Sequence, residues 1–469
     1  MISRIFRRCL LPGLMASGLI AAPLTHAQDP RNVILIIGDG MDDQQITIAR
    51  NYLKGARGQL TLDTLPVRSS VQVLTVDEDN PQQPIYVADS ANSATAMATG
   101  HVTSRGRIAT SAGNDRDLKT IAEFASASGY GVGIVTTSSV TDATPASFIS
   151  HINQRSCESP TMMVDGELSG KAKSNCGQDL KANGGAGSIA EQIAITDYDL
   201  ILGGGMKFFE ETAEGSDSSI LQQAQDNGFY VTTSSAELEQ LPTDQKILGL
   251  FAPKHLPVRL RGEDGRKAEK PEPSLLNQVD WRIGEVTMPD TMVCENNPEY
   301  GDTPSLNTMT SAALARLSTE QYTRGFFLMV ESASIDKQSH ARKPCGSIGE
   351  LQQLDEVVQT ALTFAAQHPE TLILVTADHG QVAQIIPDRS LFHAVGVPVY
   401  TPGHLARIET PEQSVMAVNY ATNSFPIEEH TGVNVPLFAN DTGRSEVSPM
   451  IRQTDLFTIM MNHLNLTTQ

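Results

Sequence analysis

Aromatic residues are scarce in this chain of 469 residues. They make up 5 % of it, and Trp281 is the single tryptophan. A surface that stacks unpaired bases needs more rings, which argues against a single-stranded nucleic acid platform. Positive charge is short as well: 34 Lys and Arg stand against 54 Asp and Glu, a formal net charge of −20. Such a chain repels phosphate backbones, so general DNA or RNA binding is not expected. Past the first residues no apolar run reaches the roughly 20 residues of a membrane-spanning helix. Cysteines number five, with no Cys-x-x-Cys pair to suggest a thiolate metal site. There is no Gly-x-Ser-x-Gly elbow, so a lipase-type serine is unsupported. The run Gly184-Gly185-Ala186-Gly187-Ser188 lacks the Gly-Lys-Ser/Thr ending of a P-loop and reads as a turn.

What is present is globular: 40 % apolar and 19 % charged residues, enough for a large core. The N-terminus reads as a targeting segment. Arg4, Arg7 and Arg8 precede a mostly apolar stretch, Cys9 to Leu24, which Pro12, Gly13, Gly18 and Pro23 interrupt. Thr25-His26-Ala27 offers small residues for a signal peptidase, so residues 1–27 are expected to be a cleaved secretory signal. The rival reading, a membrane anchor, asks for a longer run. Losing three arginines makes the mature chain more acidic still. Cys9 leaves with the signal, and an even count in an exported protein suggests disulfides. The expected pairs are Cys157–Cys176, closing a local loop, and Cys294–Cys345, tying a loop to the segment after residues 331–340.

Asn32 to Ile37, Tyr130 to Thr136, Asp199 to Leu202, Phe326 to Val330 and Thr371 to Val375 read as buried strands. Helical patterns fall between them: Asp43 to Leu53, Leu118 to Ser128 and Leu351 to Gln367. This alternation predicts an α/β fold, a mainly parallel central sheet with helices on both faces. Function in such sheets gathers at the carboxyl ends of strands, where Asp39, Glu331 and Asp378 are expected just past a strand end. Arg261 to Pro273 reads as an exposed loop. No internal repeat or linker divides the chain.

Several short stretches carry metal-ligand chemistry. Asp336 and His340 are four apart, so on a helix they share a face and could grip one cation; an exposed polar turn is the plain alternative. Asp378-His379 follows an apolar run and could turn both side chains toward a metal, or simply cap a helix. Asp39 sits between two glycines after a buried strand, and a buried carboxylate is costly unless paired or metal-bound. Ser90 opens the small-residue run Ala91 to Gly100, either as a nucleophile at a helix start or as an ordinary cap. Arg155 alone would be a solvated charge, although its planar fork fits two phosphate oxygens. His430 stands alone.

Taken together, these motifs resemble those of the bacterial, periplasmic alkaline phosphatases over nearly the whole mature chain. The likeness rests on Gly38-Asp39-Gly40-Met41, Asp89-Ser90-Ala91, Asp142-Ala143-Thr144-Pro145, His151 to Arg155, Val330-Glu331, Ala333 to Gln338, Thr376 to His379, Glu429 to Gly432 and Thr454 to Phe457. The resemblance implies a three-layer sandwich, residues 28–469 as one domain, and hydrolysis of phosphate monoesters through a phosphoserine on Ser90. It implies two zinc ions and one magnesium ion. Asp336, His340 and His430 would hold the first zinc, Asp39, Asp378 and His379 the second, and Asp39, Thr144 and Glu331 the magnesium. Arg155 would clamp phosphate, and Asp142 and Lys337 would lie around the magnesium waters and the phosphate. A homodimer in the periplasm is implied too, and the cysteine pairs fall where the family places its disulfides. A phosphodiesterase or sulfatase of the same metal-hydrolase superfamily is the alternative. Ser339 and Gln381 depart from the best-known pattern, which has Asp and His there, so metal affinity and pH optimum are open at this point.

Overall fold

Continuous Val, Ile and Leu runs bury both faces of a strand, and in the computed structural model they assemble one ten-stranded sheet. The structure describes residues 30–467 except 166, 169–171, 174 and 399; the expected signal at 1–27 lies outside them. In chain order the strands of this sheet are β1 (Asn32–Gly38), β2 (Val67–Gln72), β3 (Gly131–Ser139), β4 (Leu200–Gly204), β5 (Phe229–Thr232), β6 (Lys246–Leu250), β7 (Phe326–Ser332), β8 (Thr371–Ala377), β9 (Val435–Ala439) and β10 (Met450–Arg452). Their spatial order is β10-β2-β9-β8-β1-β7-β3-β4-β6-β5. Only β9, within this sheet, runs against its neighbours. Every residue of β1, β7 and β8 is buried. Helices pack around the sheet, among them α1 (Asp43–Lys54), α2 (Ser90–Thr99), α3 (Ala143–Ala146), α4 (Ser334–His340), α5 (Pro344–Gln367) and α6 (Gln453–His463).

Register decides where the chemistry gathers. Gly38 at the end of β1 pairs with Ala377 of β8 and Ser332 of β7. Asp39 and Asp378 therefore leave the sheet at one level, side by side. Glu331 corrects the expectation of a position past a strand: it is the penultimate residue of β7, opposite Ile37 on one side and Thr136 on the other. The sheet hydrogen bonds continue through it because Ser332 still pairs with Gly38. The predicted helix over 118–128 is shorter, Ile121–Ala127, since Thr120 caps it with a side chain accepting from Glu123 N. Residues 261–273 are not a free loop. Leu260–Gly262 pairs with Cys294–Asn296, and Glu272–Pro273 with Val286–Thr287.

Both expected disulfides are present, Cys157–Cys176 and Cys294–Cys345, spanning 19 and 51 residues. Closing a longer loop removes more entropy from the unfolded chain, about 3 kcal/mol for the first and about 4 kcal/mol for the second. Replacing Cys294 and Cys345 by Ser is expected to lower the urea midpoint more than replacing Cys157 and Cys176. Equal midpoints for both double variants and the parent would contradict this account.

Candidate active site

The turn after β1 sets the first carboxylate. Gly40 adopts a φ of +68°, a backbone conformation that suits glycine, and its N–H donates to Asp378 Oδ1 at 2.9 Å. A Cβ there would crowd Gln381 and Asp336 at 3.1 and 3.2 Å. The same Asp378 oxygen accepts His379 N–H at 2.9 Å. Asp378 Oδ2 is buried and has no hydrogen-bond partner.

Three histidines turn the same nitrogen toward these carboxylates. Each Nδ1 meets a backbone carbonyl: His340 meets Glu428, His430 meets Ala88 at 2.9 Å and His379 meets Gly380 at 3.2 Å. With Nδ1 protonated and donating, Nε2 is left as a lone pair aimed into the site. His340 Nε2 lies 3.0 Å from His430 Nε2 and 3.2 Å from Asp336 Oδ1. His379 Nε2 lies 3.4 Å from both Asp39 Oδ1 and Asp378 Oδ2. Helix α4 places Asp336 and His340 one turn apart, as their spacing predicts. Ligand atoms of Asp336, His379 and His430, and those of Asp39, Asp378 and His379, all fall within 4.8 Å of one another. His379 thus stands between two groups.

Ser90 is not the helix cap. Asp89 fills that role, accepting from Asn92 N, and Ser90 is the first residue of α2. Its Oγ is buried, 3.2 Å from His379 Nε2 and 3.5 Å from Asp39 Oδ1. Glu331 accepts hydrogen bonds from the Thr136 and Ser138 hydroxyls. Thr144 Oγ1 on α3 is buried with no hydrogen-bond partner, so nothing hydrogen-bonds it to Asp39 or Glu331.

Two cations face this group. Lys337 Nζ is 2.7 Å from Asp142 and 3.7 Å from Asp39. Arg155 spreads its fork between Asp89 at 3.3 Å and Asp142 at 3.1 Å. Burial opposes the charge on Asp142, yet Lys337 and Arg155 hold it well below the usual carboxylate range. Burial, then Asp336 and Asp378, holds Asp39 well above that range. Burial likewise pushes Glu331 up to about 7 and His379 down to about 4.

These observations fit divalent cations. Imidazole nitrogens beside crowded carboxylates are a donor set of the zinc kind, and Glu331 with the orphan Thr144 hydroxyl offers only oxygen, as magnesium prefers. The partnerless Asp378 Oδ2 points the same way. Gln381, at one of the two departures from the best-known pattern, donates from its amide to Asp336. Ser339, at the other, is buried away from the ligands, accepting from Gln45 Nε2 at 2.7 Å and donating to Ile335 O at 2.8 Å.

Sequence reasoning singled out Asp89 beside Ser90 but not as the cap, and it missed Thr136, Ser138, His255 and Glu428. The polar run Thr136 to Ser139, closing an otherwise apolar strand, was a readable signal. His255 had none: its Nδ1 accepts Ser139 N–H at 3.1 Å and sits 3.9 Å from Asp142 across a long sequence gap.

The family model described as alkaline phosphatase matches residues 30–420. The chain is 38 % identical to streptomycin-6-phosphate phosphatase of Streptomyces griseus, over 96 % of each chain. It is 37 % identical to alkaline phosphatase of Escherichia coli, over 93 % of this chain and 86 % of that one. Among solved structures, alkaline phosphatase from the Antarctic bacterium TAB5 shares the fold with a TM-score of 0.66 at 22 % identity, covering 94 % of this chain and 100 % of that one. The enzyme from Thermus thermophilus gives 0.64 at 20 %, covering 97 % of each.

Asp378→Asn keeps the oxygen that holds Gly40 and His379 but replaces the free one by a donor. Zinc affinity by equilibrium dialysis is expected to fall by more than about tenfold with the circular dichroism spectrum unchanged. Unaltered affinity would remove Asp378 from the ligand set.

Proposed function

The chain belongs to the alkaline phosphatase family, and from that premise we propose that this phosphatase hydrolyses phosphate monoesters through a phosphoserine on Ser90, at a site for two zinc ions and one magnesium ion. The observation that carries this reading is the Ser90 hydroxyl, freed from capping by Asp89 and set between His379 Nε2 and Asp39. In this reading Asp336, His340 and His430 hold one zinc, Asp39, Asp378 and His379 the other, and Asp39, Thr144 and Glu331 the magnesium. When bound, such ions lower the pKa of a hydroxyl beside them and offset the charge that develops on oxygen.

The chain's own residues supply the rest. Ser90 Oγ, its proton passing to solvent, attacks phosphorus as the bond from phosphorus to the departing oxygen breaks; that oxygen takes a proton from solvent to leave as the alcohol, and phosphate stays on Ser90. Water then attacks that phosphorus and breaks its bond to Ser90, releasing inorganic phosphate. The N-terminus of α2 directs free N–H groups and a positive dipole end at the arriving anion. Arg155 offers two parallel N–H donors, and a monoester has two free oxygens to meet them besides the one that faces the metals. A diester masks one of these oxygens, which favours monoesters over the diester or sulfate alternative. Lys337 and Asp142 fix one another and keep Arg155 from swinging out.

We further propose that residues 28–469 form one domain exported to the periplasm after loss of residues 1–27. Two disulfides suit an oxidising compartment, and no helix among the described residues is long and apolar enough to cross a membrane. A homodimer is supported by exposed Leu275, Val279, Trp281, Phe392 and Val395. Asn277 Nδ2 donates to Pro398 O at 3.4 Å and holds the two segments together.

Ser90→Ala is expected to abolish the acid-stable phosphoprotein formed from labelled substrate and to lower kcat by more than about a thousandfold. Label on another residue would overturn the assignment. Chelation by EDTA should abolish turnover and zinc with magnesium restore it, whereas full activity after exhaustive chelation would reject the metal scheme. Values of kcat/KM on matched monoester, diester and sulfate substrates should favour the monoester; a preference for either other class would select the alternative.

A further inference from the structure

A cavity of about 370 Å³ opens beside Lys337 and His255, which face Asp142 Oδ2 while Arg155 meets Oδ1. Its wall carries Lys337, Lys343, Arg261, Arg266 and His255 against one carboxylate, Glu299. That balance is the reverse of the chain's, which has 20 more acidic than basic side chains. Three of the cations have ion-pair partners: Lys337 with Asp142 at 2.7 Å, Arg261 with Glu295 at 2.8 Å, and Arg266 with Glu263 and with Glu269 at 2.9 Å. Lys343 has no ion pair among the described residues. It precedes Pro344 of α5, and its side chain takes no part in capping that helix. His255 Nδ1 accepts Ser139 N–H, so the ring proton lies on Nε2 and the imidazole brings a donor. Burial and the cations around it push that ring down to about 3, so it stays neutral. The wall is therefore rich in donors and poor in acceptors, and it begins at Lys337, one residue from the proposed ligand Asp336.

We propose that this cavity is a subsite for a second anionic group on the substrate, a carboxylate or phosphate carried by the same small phosphomonoester, with Lys343 as its principal cation. The inference rests on the phosphatase reading and deepens it. A field of one sign in a cleft raises the local concentration of matching ligand, and a charge-assisted hydrogen bond adds specificity. Substrates whose leaving group is uncharged gain nothing from it. The wall thus sorts monoesters by what they carry beyond the phosphate.

The test uses the metal-loaded full chain and two esters that differ mainly in one group, glycerol 3-phosphate and 3-phosphoglycerate. In Lys343→Gln, kcat/KM for 3-phosphoglycerate is expected to fall by about fivefold to tenfold, with glycerol 3-phosphate changed by less than about twofold. Lys343→Arg should restore the difference, and added salt should erase it in the parent. An unaltered inhibition constant for inorganic phosphate shows the phosphate site intact in each variant. A ratio between the two esters that is the same in parent and Lys343→Gln overturns the subsite while leaving the phosphatase reading in place. Hydrolysis of neither ester by the parent overturns that reading and the subsite with it.

Discussion

Crowding of like charge in a dry place is the constraint on which the rest of this structure turns. Asp39, Glu331, Asp336 and Asp378 are all buried at the carboxyl end of one sheet. Two unit charges about 4 Å apart repel by about 4 kcal/mol even in a fairly polarisable protein environment. The chain meets this in three ways. Backbone N–H groups take up one oxygen of Asp378, hydroxyls from Thr136 and Ser138 hold Glu331, and Lys337 leans on Asp39. What remains is a pocket of carboxylates and imidazoles, suited to cations. The in-register strands around it are the frame that keeps the carboxylates from moving apart.

Asp142 plays the opposite part. Against the cost of burial it is held firmly ionised by Lys337 and Arg155. By engaging both Arg155 and Lys337 it sets two cations at fixed places without a direct contact between them. The arrangement gives the site a positive wall facing a negative floor. On the proposed reading, a phosphate oxyanion would lie between the two.

Much of this was legible in the sequence, for identifiable reasons. Strands β1, β7 and β8 announce themselves because burial on both faces leaves no polar position to blur the pattern. The spacing of Asp336 and His340 has one helical meaning, and α4 gives it. The position of Glu331 inside its strand was not legible, because nothing local tells a strand to run two residues beyond its last aliphatic side chain. The paired segments around residues 260–296 were hidden too, since their partners are remote and their composition is that of a loop. His255 and Glu428 act through single contacts made across the fold, and no spacing rule reaches them.

The tethers that orient the site's side chains join remote parts of the polypeptide. Ala88 and His430 are 342 positions apart, and Gly40 and Asp378 are 338 apart. Ring closure over such distances is entropically expensive and comes late in folding. A newly made chain therefore presents isolated acids and imidazoles for most of its folding history and offers strong chelation only at the end. If the site holds cations as proposed, their capture would act as a clasp on a finished body rather than as a seed for it, and scarcity of metal would yield a folded but idle protein instead of a misfolded one.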